Sequence, residues 1–164
     1  MVIVLMGVAG AGKTTVGQLL AAELGWDFED ADDYHSATNV EKMRNNFPLT
    51  DADRAPWLET LRALICDWVA GEQDRVLACS ALKRAYRDRL RVGPEVHFVY
   101  LRATPMLLLQ RLRTRHGHYM TEQMLASQLA ALQEPEHAIV IEADGSPEEI
   151  VGKIRAELEL TKIL

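Results

Sequence analysis

Gly7-Val8-Ala9-Gly10-Ala11-Gly12-Lys13-Thr14 fits the pattern G-x-x-x-x-G-K-[ST], and its reading decides the fold. In such a loop, successive backbone N–H groups curl around an anionic phosphate. Glycine is required because the turn is tight and the phosphate approaches closer than a Cβ allows. Lys13 would reach the β- and γ-phosphates and Thr14 would offer its hydroxyl to magnesium. Gly7 to Thr14, with the following Thr15, are therefore the predicted ligands of a nucleoside triphosphate. The flanks agree. Val2-Ile3-Val4-Leu5-Met6 is a short apolar run suited to a buried strand, and Val16, Leu19, Leu20 and Leu24 recur at helical spacing. Strand, glycine loop and helix follow in the required order.

Outward from the loop, strand and helix patterns alternate. Phe28-Glu29-Asp30 is a weak second strand, followed by a polar stretch from Ala31 to Asn46. Thr50-Asp51-Ala52-Asp53 has the form of a capping box, with Pro56 leaving the start of its helix open. Trp57, Leu58, Leu61, Leu64, Ile65, Trp68 and Val69 then share one apolar face, which makes Trp57 and Trp68 core residues. Arg75 to Ser80 and Val96 to Leu101 are buried strands, with a basic helix from Ala81 to Arg91 between them. Thr104-Pro105 opens a helix to about Arg115, and another runs from Thr121 to about Leu132. Ala138 to Ile141 is the last strand, and Ser146-Pro147 starts the last helix. Continuous apolar strands separated by helices predict a doubly wound α/β fold with a five-stranded parallel sheet. Its ligands belong at the carboxyl ends of the strands.

The chain has 164 residues, 48% hydrophobic and 26% charged, with a net charge of −6. That is the size of one domain, 1–164, with an ordinary globular composition. The acidic balance argues against nucleic acid as a partner. The amino terminus lacks a basic leader, and no apolar run reaches membrane-spanning length. Cys66 and Cys79 have no pairing pattern, so free thiols in a reducing cytoplasm are expected.

Asp30-Ala31-Asp32 directly follows the second strand, so both carboxylates point toward the crevice that holds the phosphates. One is suited to orient magnesium and the other to accept the proton of an acceptor hydroxyl. Asp30, with Thr14, is assigned to the metal and Asp32 to the base; the alternative is a solvated acidic turn. The third strand ends in Ser80 with no aspartate, which leaves the carboxylate work to Asp30 and Asp32. A small-molecule kinase of the nucleotide/shikimate-kinase type, with a phosphate loop and a lid, has this arrangement.

The chain resembles the gluconokinase family over almost its full length. The matching residues are the loop Gly7 to Thr14, Asp30-Ala31-Asp32 with His35, Asn39-Val40-Glu41-Lys42-Met43, and Pro48 through Leu58. Cys79-Ser80-Ala81-Leu82-Lys83, Tyr86-Arg87, Gly117-His118 and Leu132-Gln133-Glu134-Pro135 complete the set. The Asp53-Arg54-Ala55-Pro56-Trp57-Leu58 block is far more specific than the phosphate loop. The resemblance implies an enzyme that phosphorylates D-gluconate with ATP and magnesium, and often a homodimer.

Gluconate carries one carboxylate and several hydroxyls, so its pocket needs a cation and polar groups. The acceptor segment, about 31–58, offers His35, Lys42 and Arg54. Arg54 is the preferred clamp because a guanidinium binds carboxylate or phosphate in a fork, its alternative being a solvated helix-end arginine. His35 is suited to a hydroxyl or to capping a local turn, and Lys42 sits where surface lysines are ordinary. Lys83 and Arg87 are further candidates. The lid, about 111–121, holds Arg111, Arg113, Arg115, His116 and His118. Arg115 is assigned to the transferring phosphoryl group and Arg111 to stacking on adenine. The rival readings are another hydroxy-acid kinase such as a shikimate kinase, and an ATP-binding regulator without catalysis. Ser80-Ala81-Leu82-Lys83 stands where shikimate kinases carry a glycine triplet, and no Asp-Gly-Phe-Pro-Arg-like block of nucleoside monophosphate kinases is present.

Overall fold

The five residues of β1 (Val2–Met6) are buried throughout, and their alternation divides the core. Ile3 and Leu5 point into one layer, while Val2, Val4 and Met6 point into the other. In the computed structural model, which describes residues 1–114 and 121–160, β1 is the central strand of a five-stranded parallel sheet. The order is β2 (Asp27–Asp30), β3 (Arg75–Ala78), β1, β4 (Val96–Arg102), β5 (Ile139–Glu142). β1 pairs in parallel with β3 along one edge and β4 along the other, and helices cover both of its faces.

The layer of Ile3 and Leu5 is completed by α1 (Lys13–Leu24), α5 (Pro105–Thr114), α6 (Glu122–Ala131) and α7 (Pro147–Glu157), through Val16, Leu20, Leu108, Leu125 and Ile150. The other layer holds α3 (Asp51–Ala70) and α4 (Arg84–Leu90), through Trp57, Leu61, Ile65, Tyr86 and Leu90. A smaller cluster of Met43, Leu49 and Met124 joins α2 (Ala37–Arg44) to α6 above the strand ends.

Local chemistry accounts for the boundaries. Thr50 Oγ1 accepts from the Asp53 amide at 3.1 Å, and Asp53 Oδ2 accepts from the Thr50 amide at 2.9 Å. This capping box starts α3 at Asp51 and resolves the doubt about Pro56, which lies inside the helix. Its missing N–H releases only the carbonyl of Ala52, an exposed residue whose carbonyl water can satisfy. Thr104 caps α5, and Ser146 forms a second capping box for α7. The helix expected from Ala81 starts only at Arg84, because Ala81 adopts φ +44° and turns the chain left-handed after β3. The polar stretch from Ala31 folds into a 3-10 turn (Ala31–Tyr34) and then α2.

Candidate active site

The phosphate loop leaves β1 at the centre of the sheet. Gly7 has φ +148°, and a Cβ there would stand 2.9 Å from the Leu101 carbonyl oxygen, so the neighbouring β4 admits only glycine. The Gly7 amide donates to Ser80 O at 3.2 Å, which ties the loop to the end of β3. Gly12, at φ +98°, turns the chain into α1. The end of α1 presents unpaired N–H groups and a positive dipole to the loop, the arrangement that attracts phosphate.

A cavity of about 210 Å³ opens at the carboxyl ends of the strands. Ala9, Gly10, Gly12, Lys13 and Thr14 line it from the loop; Gly7, Val8 and Ala11 form the loop's buried underside, and Thr15 is exposed on α1. Lys13 Nζ lies 3.1 Å from the Val8 carbonyl oxygen. Asp30, Asp32, His35, Arg54, Trp57 and Lys83 line the opposing wall. The two candidate sets, separated by tens of residues in sequence, thus face one cavity.

Asp30 organises the junction. One of its oxygens accepts from the Thr14 hydroxyl at 3.0 Å, and the other accepts from the Asp32 amide at 3.0 Å, capping the 3-10 turn. Thr14 and Asp30 are hard oxygen donors side by side at the phosphate loop, the chemistry magnesium selects. No cluster of three or more His, Cys, Asp or Glu able to hold a metal exists among the described residues. That suits a magnesium ion held by few protein groups and mainly by phosphates and water. The Asp32 carboxyl is raised above the usual range, first by desolvation in the cleft and then by Asp30, with Lys13 acting in the opposite sense. A carboxylate raised in this direction is the kind of group able to take up a proton closer to neutral pH.

His35 stacks on Trp57, ring centroids 4.3 Å apart and nearly parallel, and its side chain is only 4% exposed. Desolvation, then the Arg54 charge, lowers its pKa to about 4, so the ring is neutral. Its Nδ1 is buried without a hydrogen-bond partner, and Nε2 lies 3.9 Å from Asp32. Trp57 is core, as its helical position implies, but it also faces the cavity and donates its indole N–H to the Ala31 carbonyl at 2.7 Å.

The cations have different surroundings. Arg54 donates to Leu49 O at 2.8 Å and to the Tyr86 hydroxyl at 3.3 Å. Lys83 pairs with Asp51 at 2.8 Å, and Tyr86 also donates to that carboxylate. Lys42 does not line the cavity. It pairs with Asp53 at 2.8 Å, which helps hold that carboxyl down at about 2, and so fastens α2 to the start of α3. The buried Asn39 makes a second fastening, donating to Asp53 O at 2.9 Å. Arg87 is buried and donates to the carbonyls of Ala81, Leu82 and Gln133, a clamp on the chain rather than on a ligand. Arg111 donates to the carbonyls of Gly10, Ala11 and Ala143, which fixes its guanidinium beside the phosphate loop by its edges. Arg113 is exposed and paired with Glu122. Arg115, His116, Gly117 and His118 lie outside the described residues.

One wall has no counterpart in the sequence reading. Met124, Ser127, Gln128 and Ala131 of α6 line the cavity, and Gln128 Oε1 accepts from the Ala9 amide at 2.8 Å. Only the helical spacing of 124, 127, 128 and 131, with two polar residues on that face, hints at it.

The shikimate kinase family profile matches residues 9–159. A gluconokinase of Gluconobacter oxydans (strain 621H) is 43% identical over 164 aligned positions, covering 94% of this chain and 92% of that protein. The chain belongs to the gluconokinase family. A probable gluconokinase of Xenopus tropicalis is likewise 43% identical, over 100% of this chain and 96% of its own length. The crystal structure of a gluconokinase from Sinorhizobium meliloti 1021 superposes with a TM-score of 0.86 at 36% identity, covering 96% of this chain and 90% of that one. The fold is therefore that of phosphate-loop kinases, and the chain is an enzyme of the kinase class. No described helix is long and apolar enough to cross a membrane.

Proposed function

We propose that the enzyme transfers the γ-phosphoryl group of ATP to the terminal hydroxyl of D-gluconate, giving 6-phospho-D-gluconate and ADP. The observation that carries this reading is a single cavity lined by the phosphate loop on one side and by Asp32 with the cations Arg54 and Lys83 on the other. Gluconate has a carboxylate for the cations and a hydroxyl for the base, at opposite ends of a six-carbon chain. The identities to named gluconokinases support the same acceptor.

In this mechanism Lys13 binds the β- and γ-phosphates, with the loop amides and Gln128 shaping their seat. Asp32 accepts the proton of the attacking hydroxyl, while Asp30 holds the Asp32 amide and thereby the orientation of the turn. Magnesium, held by Thr14 and Asp30, would neutralise phosphate charge when bound. Arg115 is the proposed donor to the transferring phosphoryl group. Arg111, bonded along its edges, has faces suited to stacking on adenine. His35 offers its unpartnered Nδ1 to an acceptor hydroxyl, and Lys42 keeps its wall in place through Asp53. A cytoplasmic homodimer belongs to the same reading.

A coupled assay with purified protein, ATP and magnesium tests the acceptor across gluconate, shikimate, AMP and related sugar acids. Turnover with gluconate in large excess over the others is expected. Turnover of another acid without gluconate overturns the assignment.

A further inference from the structure

Four side chains behind and on the acceptor wall form a closed set of contacts. Arg54 and Lys83 line the cavity, whereas Asp51 and Tyr86 do not. Two like-charged, flexible side chains placed this close would separate into solvent unless held. What holds them is one phenol, one carboxylate and, for Arg54, also the Leu49 carbonyl at 2.8 Å. The Arg54 guanidinium and the Lys83 ammonium each lie 5.7 Å from the centre of the Tyr86 ring. The Tyr86 hydroxyl accepts from Arg54 at 3.3 Å and donates to Asp51, which also accepts from Lys83 at 2.8 Å. Tyr86 is the buried post of the group at 6% exposure, packed in the layer with Trp57 and Leu58, while Asp51 is exposed at the start of α3.

Stability does not account for this arrangement, since exposed ion pairs contribute little to folding. Position does. Asp51 is the first residue of α3 and Arg54 lies one turn further on, so the capping box of Thr50 and Asp53 fixes the helix start that carries both. Lys83 and Tyr86 come from the other side, at the start of α4. The set therefore fixes the separation of the two cationic heads across two elements.

We propose that Tyr86 and Asp51 are positioning residues that make Arg54 and Lys83 a clamp for the carboxylate of a monoanionic acid. The proposal rests on the reading that the acceptor is a hydroxy acid. Tyr86 and Asp51 together set where the heads stand. A neutral polyol leaves the clamp unsatisfied.

The experiment uses the full-length enzyme and the variants Tyr86→Phe and Asp51→Asn. Gluconate and sorbitol (the same chain with an alcohol in place of the carboxylate) are the probes. For Tyr86→Phe, the KM for gluconate rises about tenfold while kcat and the KM for ATP stay within about twofold, as expected for loss of a ground-state contact to a charged group. The preference for gluconate over sorbitol, as a ratio of kcat/KM, falls by the same factor. For Asp51→Asn, which weakens the anchor of Lys83, the KM for gluconate rises and the preference for gluconate over sorbitol falls, with kcat and the KM for ATP within about twofold. Parallel changes in all constants, with the gluconate-over-sorbitol ratio unmoved in both variants, would mean a purely structural role and overturn the proposal. If the parent enzyme uses a different hydroxy acid, the ratios are measured with that acid and its neutral alcohol. The acceptor assignment then fails while the clamp is still decided. No turnover of any hydroxy acid refutes both.

Discussion

Replacing Trp57 by Phe separates two things the indole does. The phenyl ring keeps the stacking surface for His35, now 4.3 Å from the indole centroid, but loses the N–H that donates to Ala31 O at 2.7 Å. A buried carbonyl that loses such a donor costs about 1–2 kcal/mol. The smaller ring buries ~40 Å² less apolar surface, worth ~1 kcal/mol. The sum, about 2–3 kcal/mol, lowers the melting temperature of a domain this size by about 5–10 °C. The carbonyl lies between Asp30 and Asp32, so the loss also loosens the turn that aims Asp32. Misplacing a catalytic group by a fraction of an ångström lowers kcat by about tenfold or more. ATP affinity should hold, because α1 behind the loop packs against the opposite layer. Thermal melting by circular dichroism and steady-state kinetics with gluconate read the two effects. A variant that melts within about a degree of the parent and retains its kcat would refute the reasoning.

Other outcomes follow from the same geometry. Lys13→Ala should lower phosphoryl transfer ~10²-fold or more, with far-ultraviolet circular dichroism unchanged, since the lysine stabilises developing charge rather than the core. Asp32→Asn should lower turnover ~10²–10⁴-fold while ATP binding, measured by calorimetry, persists. In the parent, because the Asp32 carboxyl is raised, activity should fall on acidification at a pH above the usual carboxylate range. His35 has a folded pKa lowered from 6.5 to about 4, so protons bind the unfolded chain preferentially in that window. Its contribution is complete above pH 6.5 and lost as pH falls toward 4, on the order of 3 kcal/mol in all. Denaturant titrations of His35→Asn should show a flatter decline across that range.

The parts of the molecule legible in the sequence are those where one local pattern suffices. Val2–Met6, the glycine loop and the periodic residues of α1 specify strand, turn and helix without help from the rest of the chain. Thr50 and Asp53 mark a capping box in the sequence, but Pro56 leaves the start of α3 open until the fold shows the proline inside the helix. Ala81 shows where local patterning stops: a residue with high helix propensity takes a left-handed conformation because Ser80 must meet Gly7 and Arg87 must reach the carbonyls behind it. The site divides similarly. Asp30 and Asp32 are legible from their position at the end of β2, and Lys13 from the glycine loop. The α6 wall is not, because Gln128 meets Ala9 only through a contact spanning 119 residues. Lys42 and Arg87 are basic residues in the right segments, but their charges serve Asp53 and backbone carbonyls, a choice fixed by packing alone.

The parity of β1 has an evolutionary consequence. Ile3 and Leu5 belong with the helix that follows the phosphate loop, whereas Val2, Val4 and Met6 belong with Trp57, Tyr86 and the acceptor wall. One strand thus keeps two inheritances apart. Substitutions that accumulate beneath α3 and α4 can remodel what is phosphorylated while the packing under α1 is left alone. A lineage can exchange acceptors by drifting on one side of a sheet only one residue thick.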